Sequence, residues 1–85
     1  MRHATEEDLD HLEGLLVELR LFPQLRERKR GQFSRSSRAF LHFHEDSGDY
    51  FVDVRLADDF ERMRVSSSKE QAHFLSSVRE ALEKK

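Results

Sequence analysis

Two histidines one residue apart, His42 and His44, are followed beyond a Ser47–Gly48 dipeptide by Asp53. Alternate residues of a β-strand point to the same face, about 6.5–7 Å apart along it. If this stretch is a hairpin, both imidazoles share one surface with a cross-strand carboxylate. Imidazole nitrogens and a carboxylate oxygen are donors that Zn²⁺ or Fe²⁺ accepts, with positions left over for water. His42, His44 and Asp53 would then be the ligands, with Glu45 or a second subunit supplying a fourth. The plainer account of the same residues is a polar row, with His42 bonded to Asp53, Arg64 joining the pair, and His44 packed on Phe51. Asp53 orienting His42 would also make a general base. Hydrolysis needs a nucleophile too, and Ser34, Ser36, Ser37, Ser66, Ser67 and Ser68 lie in turn-like or capping contexts outside any Gly-x-Ser-x-Gly. Walker, dinucleotide and His-Glu-x-x-His motifs are absent. An enzyme is the minority reading, and no cofactor is implied.

A second group shares that surface. Phe40 and Phe51, with Phe33 nearby, are interleaved with Arg55, Arg62 and Arg64. Aromatic rings for stacking and guanidinium groups for phosphates are the means by which many sheets hold single-stranded nucleic acid. Phe beside Arg is equally the composition of protein-interface hot spots. A protein partner, a homodimer and an anionic ligand are therefore all open, and this binding-module reading stands ahead of the metal.

Length and composition bound the rest. Eighty-five residues make one domain, residues 1–85. A chain of that size buries about 60–65% of the surface its unfolded form exposes. Hydrophobic residues are 36% and charged ones 38%, and seven Phe supply large apolar side chains for a small core. The absence of cysteine excludes disulfides, a thiol nucleophile and thiolate-bound zinc. A secreted domain this small usually carries disulfides, so the expected location is intracellular and cytoplasmic. No apolar run approaches the ~18–20 residues that span a bilayer, and no membrane association is expected. The net charge of −2 argues against a surface generally coated by nucleic acid. Its distribution is uneven. Glu6, Glu7, Asp8, Asp10, Glu13 and Glu18 dominate the first twenty positions, while Arg26, Arg28, Lys29, Arg30, Arg35 and Arg38 oppose Glu27 alone further on.

The elements that must position these residues can be read from spacing and caps. Thr5 with Asp8 forms a capping box, and Leu9, Leu12, Leu16 and Leu19 recur at helical intervals with Leu15 beside them. Pro23 bounds this helix, placed at about residues 5–20. Pro23 could open a short helical turn, and Gln32, Phe33 and Ser34 a short first strand. Ala39, Leu41 and Phe43 alternate with Phe40, His42 and His44, and after the turn Val52, Val54 and Leu56 alternate with Phe51, Asp53 and Arg55. A two-residue turn at Ser47–Gly48 pairs Phe43 with Val52, Leu41 with Val54, His44 with Phe51, His42 with Asp53 and Phe40 with Arg55. A second tight turn at Asp58–Asp59 would set Met63 against Val54, Val65 against Val52, Arg62 beside Arg55 and Arg64 beside Asp53. Ser67 with Glu70 opens a second helix, about residues 68–83, with an apolar stripe of Gln71, Leu75, Val78 and Leu82, flanked by Phe74 and Ala81. Lys84 and Lys85 then face its dipole. The expected fold is α+β: a three- or four-stranded antiparallel meander, with N- and C-terminal helices packed on one face and the other left open.

The runs RAFLHFHED, DYFVDVRL and FERMRV resemble small conserved bacterial proteins of uncharacterised function. The helix–strands–helix order is similar to frataxin and the YjbR-like group. That likeness implies two helices on one side of the sheet, and an acidic first-helix ridge (Glu6, Glu7, Asp10 and Glu13) for iron and partner contacts. Ala39 to Phe43 resembles the latter half of the RNP1 motif of RNA-recognition domains, departing from it at Arg38 and Ser37.

Overall fold

The computed structural model describes residues 1–84. In chain order the elements are β1 (Arg2–His3), α1 (Glu6–His11), α2 (Glu13–Arg20), β2 (Leu25–Lys29), β3 (Gln32–Arg35), β4 (Arg38–Asp46), β5 (Asp49–Val54), β6 (Glu61–Arg64) and α3 (Ser68–Glu83). All strand pairings are antiparallel. The order across the sheet is β2-β3-β4-β5-β6, and β1 pairs with β4 where β3 leaves off. The α+β class and the terminal helices are as expected; the sheet is wider than a three- or four-stranded meander because of β1 and β2.

Both capping boxes form. Thr5 Oγ1 accepts from the Asp8 amide while Asp8 Oδ2 accepts from the Thr5 amide, and Ser67 and Glu70 repeat the exchange. The first helix is interrupted at Leu12, whose amide is shared between the carbonyls of Asp8 and Leu9. Leu9, Leu12, Leu15, Leu16 and Leu19 are all buried. On α3 the buried residues are Phe74, Val78, Ala81 and Leu82, so the stripe is centred on Phe74, with Leu75 at its edge. The helix ends at Glu83; Lys84 is extended backbone beyond it, and Lys85 lies outside the described residues. The five leucines of the first helix and Phe74, Val78 and Leu82 of α3 form one cluster with Phe33, Phe40, Leu41, Phe43, Val52, Val54 and Val65 from the sheet and its exit.

The β4–β5 hairpin has the expected register, with Leu41 opposite Val54, His42 opposite Asp53, Phe43 opposite Val52 and His44 opposite Phe51. The amide of Arg55 bonds the Phe40 carbonyl at 2.8 Å. Ser47 and Gly48 both have positive φ, the twist that a two-residue hairpin turn requires.

Three expectations are corrected. The segment after Pro23 is strand β2, in which Leu25 and Glu27 pair with Arg35 and Phe33. The β5–β6 connection is not a tight turn at Asp58–Asp59 but the longer segment 55–60, and β6 is displaced by two residues: Met63 faces Val52, Arg62 faces Asp53 and Arg64 faces Phe51. Arg55 organises that segment, donating to the carbonyls of Ala39 and Asp58 and lying 4.4 Å from the Phe60 ring centre. Adjacent carboxylates suit a primed turn poorly, whereas Arg55 gives the longer loop its own partners. The third correction is Phe40. The β3–β4 register shifts so that Phe33 faces Leu41 and Ser34 faces Ala39, leaving Phe40 as the extra residue of a bulge. A bulge interrupts alternation, and the neighbours Phe40 and Leu41 both join the core.

Candidate metal centre on the open sheet face

Strand registers lay two polar rows across the face away from the helices. One runs Gln32–His42–Asp53–Arg62 and the other His3–His44–Phe51–Arg64. His42, His44 and Asp53 come together as their spacing foretold, with one potential ligand atom of each lying within 4.8 Å of the others. Donors of one tetrahedral zinc ion sit about 3.3 Å apart, so side-chain rotations of about an ångström would gather these three.

The polar contacts of the group are uneven. Asp53 is held by Arg62, whose Nε donates to Oδ1 at 2.7 Å and Nη2 to Oδ2 at 2.8 Å. These bonds outweigh burial and hold the Asp53 carboxyl below its ordinary value. His42 Nε2 lies 3.5 Å from Asp53 Oδ2. Burial, and then the neighbouring His44, lower the His42 pKa, which keeps its imidazole neutral near pH 7. His44 is only 8% exposed. Its Nε2 is 3.0 Å from Asp53 Oδ2 but out of line for a hydrogen bond. Among the described residues it is the one buried side-chain nitrogen or oxygen without a hydrogen-bond partner. An orphaned buried nitrogen costs about 1–3 kcal/mol in general. The polar row therefore accounts for Asp53 and leaves His44 unexplained.

The other expected site residues are distributed differently. Phe40 and Phe33 are each 2% exposed and belong to the core. Phe51 is half-buried on the open face. Arg55 is committed to the 55–60 loop. Arg62 is engaged by Asp53, and Arg64 bonds Asp49 and Glu70 rather than Asp53. Glu45, the suggested fourth ligand, pairs with Arg2 at 3.0 Å and accepts from the Gly48 amide. In the acidic ridge, Glu6, Asp10 and Glu13 converge on the Arg30 guanidinium.

Two residues went unseen in the sequence. His3 is brought opposite His44 by β1, and its ring centre is 4.8 Å from that of His44. A two-residue strand has no periodicity to betray it. Phe60 meets His42 edge-on at 5.5 Å, a contact that depends on the loop Arg55 orders. Beside the histidines a groove of about 420 Å³ is lined by His3, His42, Arg28, Gln32 and Ser34, with Phe33 and Leu41. No protein-family model, curated protein or solved structure matches this chain significantly.

Proposed function

We propose that the protein is a small binding module acting through its open sheet face, and that its ligand there is a divalent transition-metal ion held by His42, His44 and Asp53. The observation carrying this reading is the His44 Nε2 lone pair or proton, buried and unpartnered beside a carboxylate. A bound metal ion would supply the partner that this nitrogen lacks. Two nitrogens and one carboxylate oxygen suit Zn²⁺ or Fe²⁺, leaving positions for water or a further ligand. Arg62 would retain its bond to Asp53 Oδ1 and orient the ligating carboxylate from outside.

The Phe and Arg reading ranks second. With Phe40 in the core and Arg62 and Arg64 paired to carboxylates, the surface left for a protein partner, homodimer or anionic ligand is Phe51 with the Arg55–Phe60 stack. Phe60 is 39% exposed beneath Arg55, which favours a contact there. Zinc titration followed by histidine ring resonances separates the two. Shifts of His42 and His44 at one equivalent are expected, and unshifted rings at excess zinc would sink the metal reading. A salt-dependent gel shift with single-stranded RNA, undiminished by zinc, would support the second instead.

A further inference from the structure

We infer that His3 is a third imidazole ligand of this site, so that metal occupancy and docking of the N-terminal strand are coupled. The inference rests on the metal reading above and adds a residue outside the hairpin. Strand β1 meets the sheet through two residues, Arg2 opposite Glu45 and His3 opposite His44, extended by the Ala4 amide bonding the Phe43 carbonyl at 3.1 Å. So short a strand has little hold of its own. Its side-chain ties are the ion pairs of Arg2 with Asp8 and Glu45, and Arg2 is half-exposed, which makes such pairs weak. Among the described residues the His3 ring makes no hydrogen bond, and it faces two other imidazoles.

The three ring centres are spaced as those of co-ligated imidazoles are. His3, whose nitrogens lie outside the group formed by His42, His44 and Asp53, would join it by rotating its exposed side chain. A zinc–nitrogen bond of ~2.1 Å and a nitrogen-to-ring-centre distance of about 1.1 Å put each ring centre ~3.2 Å from the ion, hence about 5.2 Å from the next at a tetrahedral angle. The observed separations are 4.8 Å for His3 and His44, 4.9 Å for His42 and His44, and 5.9 Å for His3 and His42. Three histidines with Asp53 complete a tetrahedral set without Glu45 or a second subunit. An ion bound there bridges β1 to β4 and β5, and adds a bond where the backbone ladder is shortest.

The test compares the wild-type chain with His3→Gln and His42→Ala, using Zn²⁺ in competition with a chromophoric chelator and amide exchange at Ala4. His3 is exposed, so His3→Gln leaves the core intact. The expected result is zinc affinity weakened about 10–100-fold in His3→Gln, and Ala4 exchange slowed by saturating zinc in the wild type but not in that variant. Equal affinities for wild type and His3→Gln, with zinc-insensitive Ala4 exchange and loss of binding in His42→Ala, would overturn the role of His3 and leave the two-histidine site standing. Failure of the wild type to bind zinc at all would overturn both.

Discussion

At the scale of single residues, Asp53 and Phe40 decide how the open face is to be understood. Asp53 bonds Arg62, and an approaching dication must share that carboxylate with a guanidinium. Removing a positive charge ~5 Å from a dication is worth roughly tenfold in affinity even in a water-like dielectric. Losing an orienting partner works the other way by about 10–100-fold where that partner is essential. Glutamine carries its amide nitrogen at the same bond position as the Arg62 Nε that donates to Asp53 Oδ1, so the orienting bond persists in Arg62→Gln and relief of repulsion wins. Arg62→Gln is expected to tighten zinc binding by about tenfold in chelator competition; weaker binding would show that Arg62 chiefly orients the carboxylate. Phe40, expected as a stacking residue, is a core residue. Phe40→Ala should cost about 3–5 kcal/mol in urea unfolding while leaving zinc affinity unchanged in the folded fraction. A loss below 1 kcal/mol would return Phe40 to the surface.

At the scale of elements, the chain carries strong local signals where it turns and weak ones where it pairs. The β3–β4 turn holds Ser36 at φ 50° and Ser37 at φ 67°. Serine is strained in the left-handed region, which asparagine and glycine occupy more readily. Replacing Ser36–Ser37 by Asn-Gly is expected to stabilise the protein by about 1 kcal/mol, read as an increased urea midpoint at constant slope. Gly31 lies in the same region at φ 79°, and a Cβ there would come within 2.7 Å of a Leu9 methyl. This glycine lets the β2–β3 turn close over the first helix. Local chemistry of this kind explains why the β4–β5 hairpin and both capped helices were legible: each is specified by residues a few positions apart. The β6 slip was not, because it follows from Arg55 reaching Ala39, Asp58 and Phe60. Nor was β2, whose basic sequence has almost no apolar alternation and whose register comes from pairing with β3.

At the scale of the whole molecule, carboxylates tied to partners set the response to acid. Hydrogen bonds from the Thr5 backbone hold Asp8 below its ordinary value, Arg20 does the same for Glu27, and the Ser67 backbone for Glu70. Groups with depressed folded values contribute stability that is fully present above their unfolded values, here 3.8 for Asp and 4.5 for Glu. That stability is lost as pH falls through the folded ones. His42 acts in the same sense higher up. Its lowered value means the unfolded chain binds the proton better, so stability falls as pH drops below about 6.5. Urea midpoints at fixed ionic strength should therefore be level above pH 7, dip modestly toward pH 5 and fall steeply below pH 4.5. A midpoint that rises on acidification would contradict the network. Saturating zinc should deepen the dip near pH 6, because protons and metal compete for the same imidazoles.

From the sequence alone came the elements bounded by caps and a two-residue turn, the leucine stripe of the first helix, and the facing of His42 with Asp53. Each is a consequence of short-range spacing: period 3.6 in helices, period 2 in strands, and a turn length that leaves one register. Only the tertiary structure decided which arginine meets Asp53, that a bulge draws Phe40 inward, and that His3 from the start of the chain stands against His44. Those outcomes depend on pairings between distant segments, where loop side chains and packing choose among registers that local pattern leaves equal.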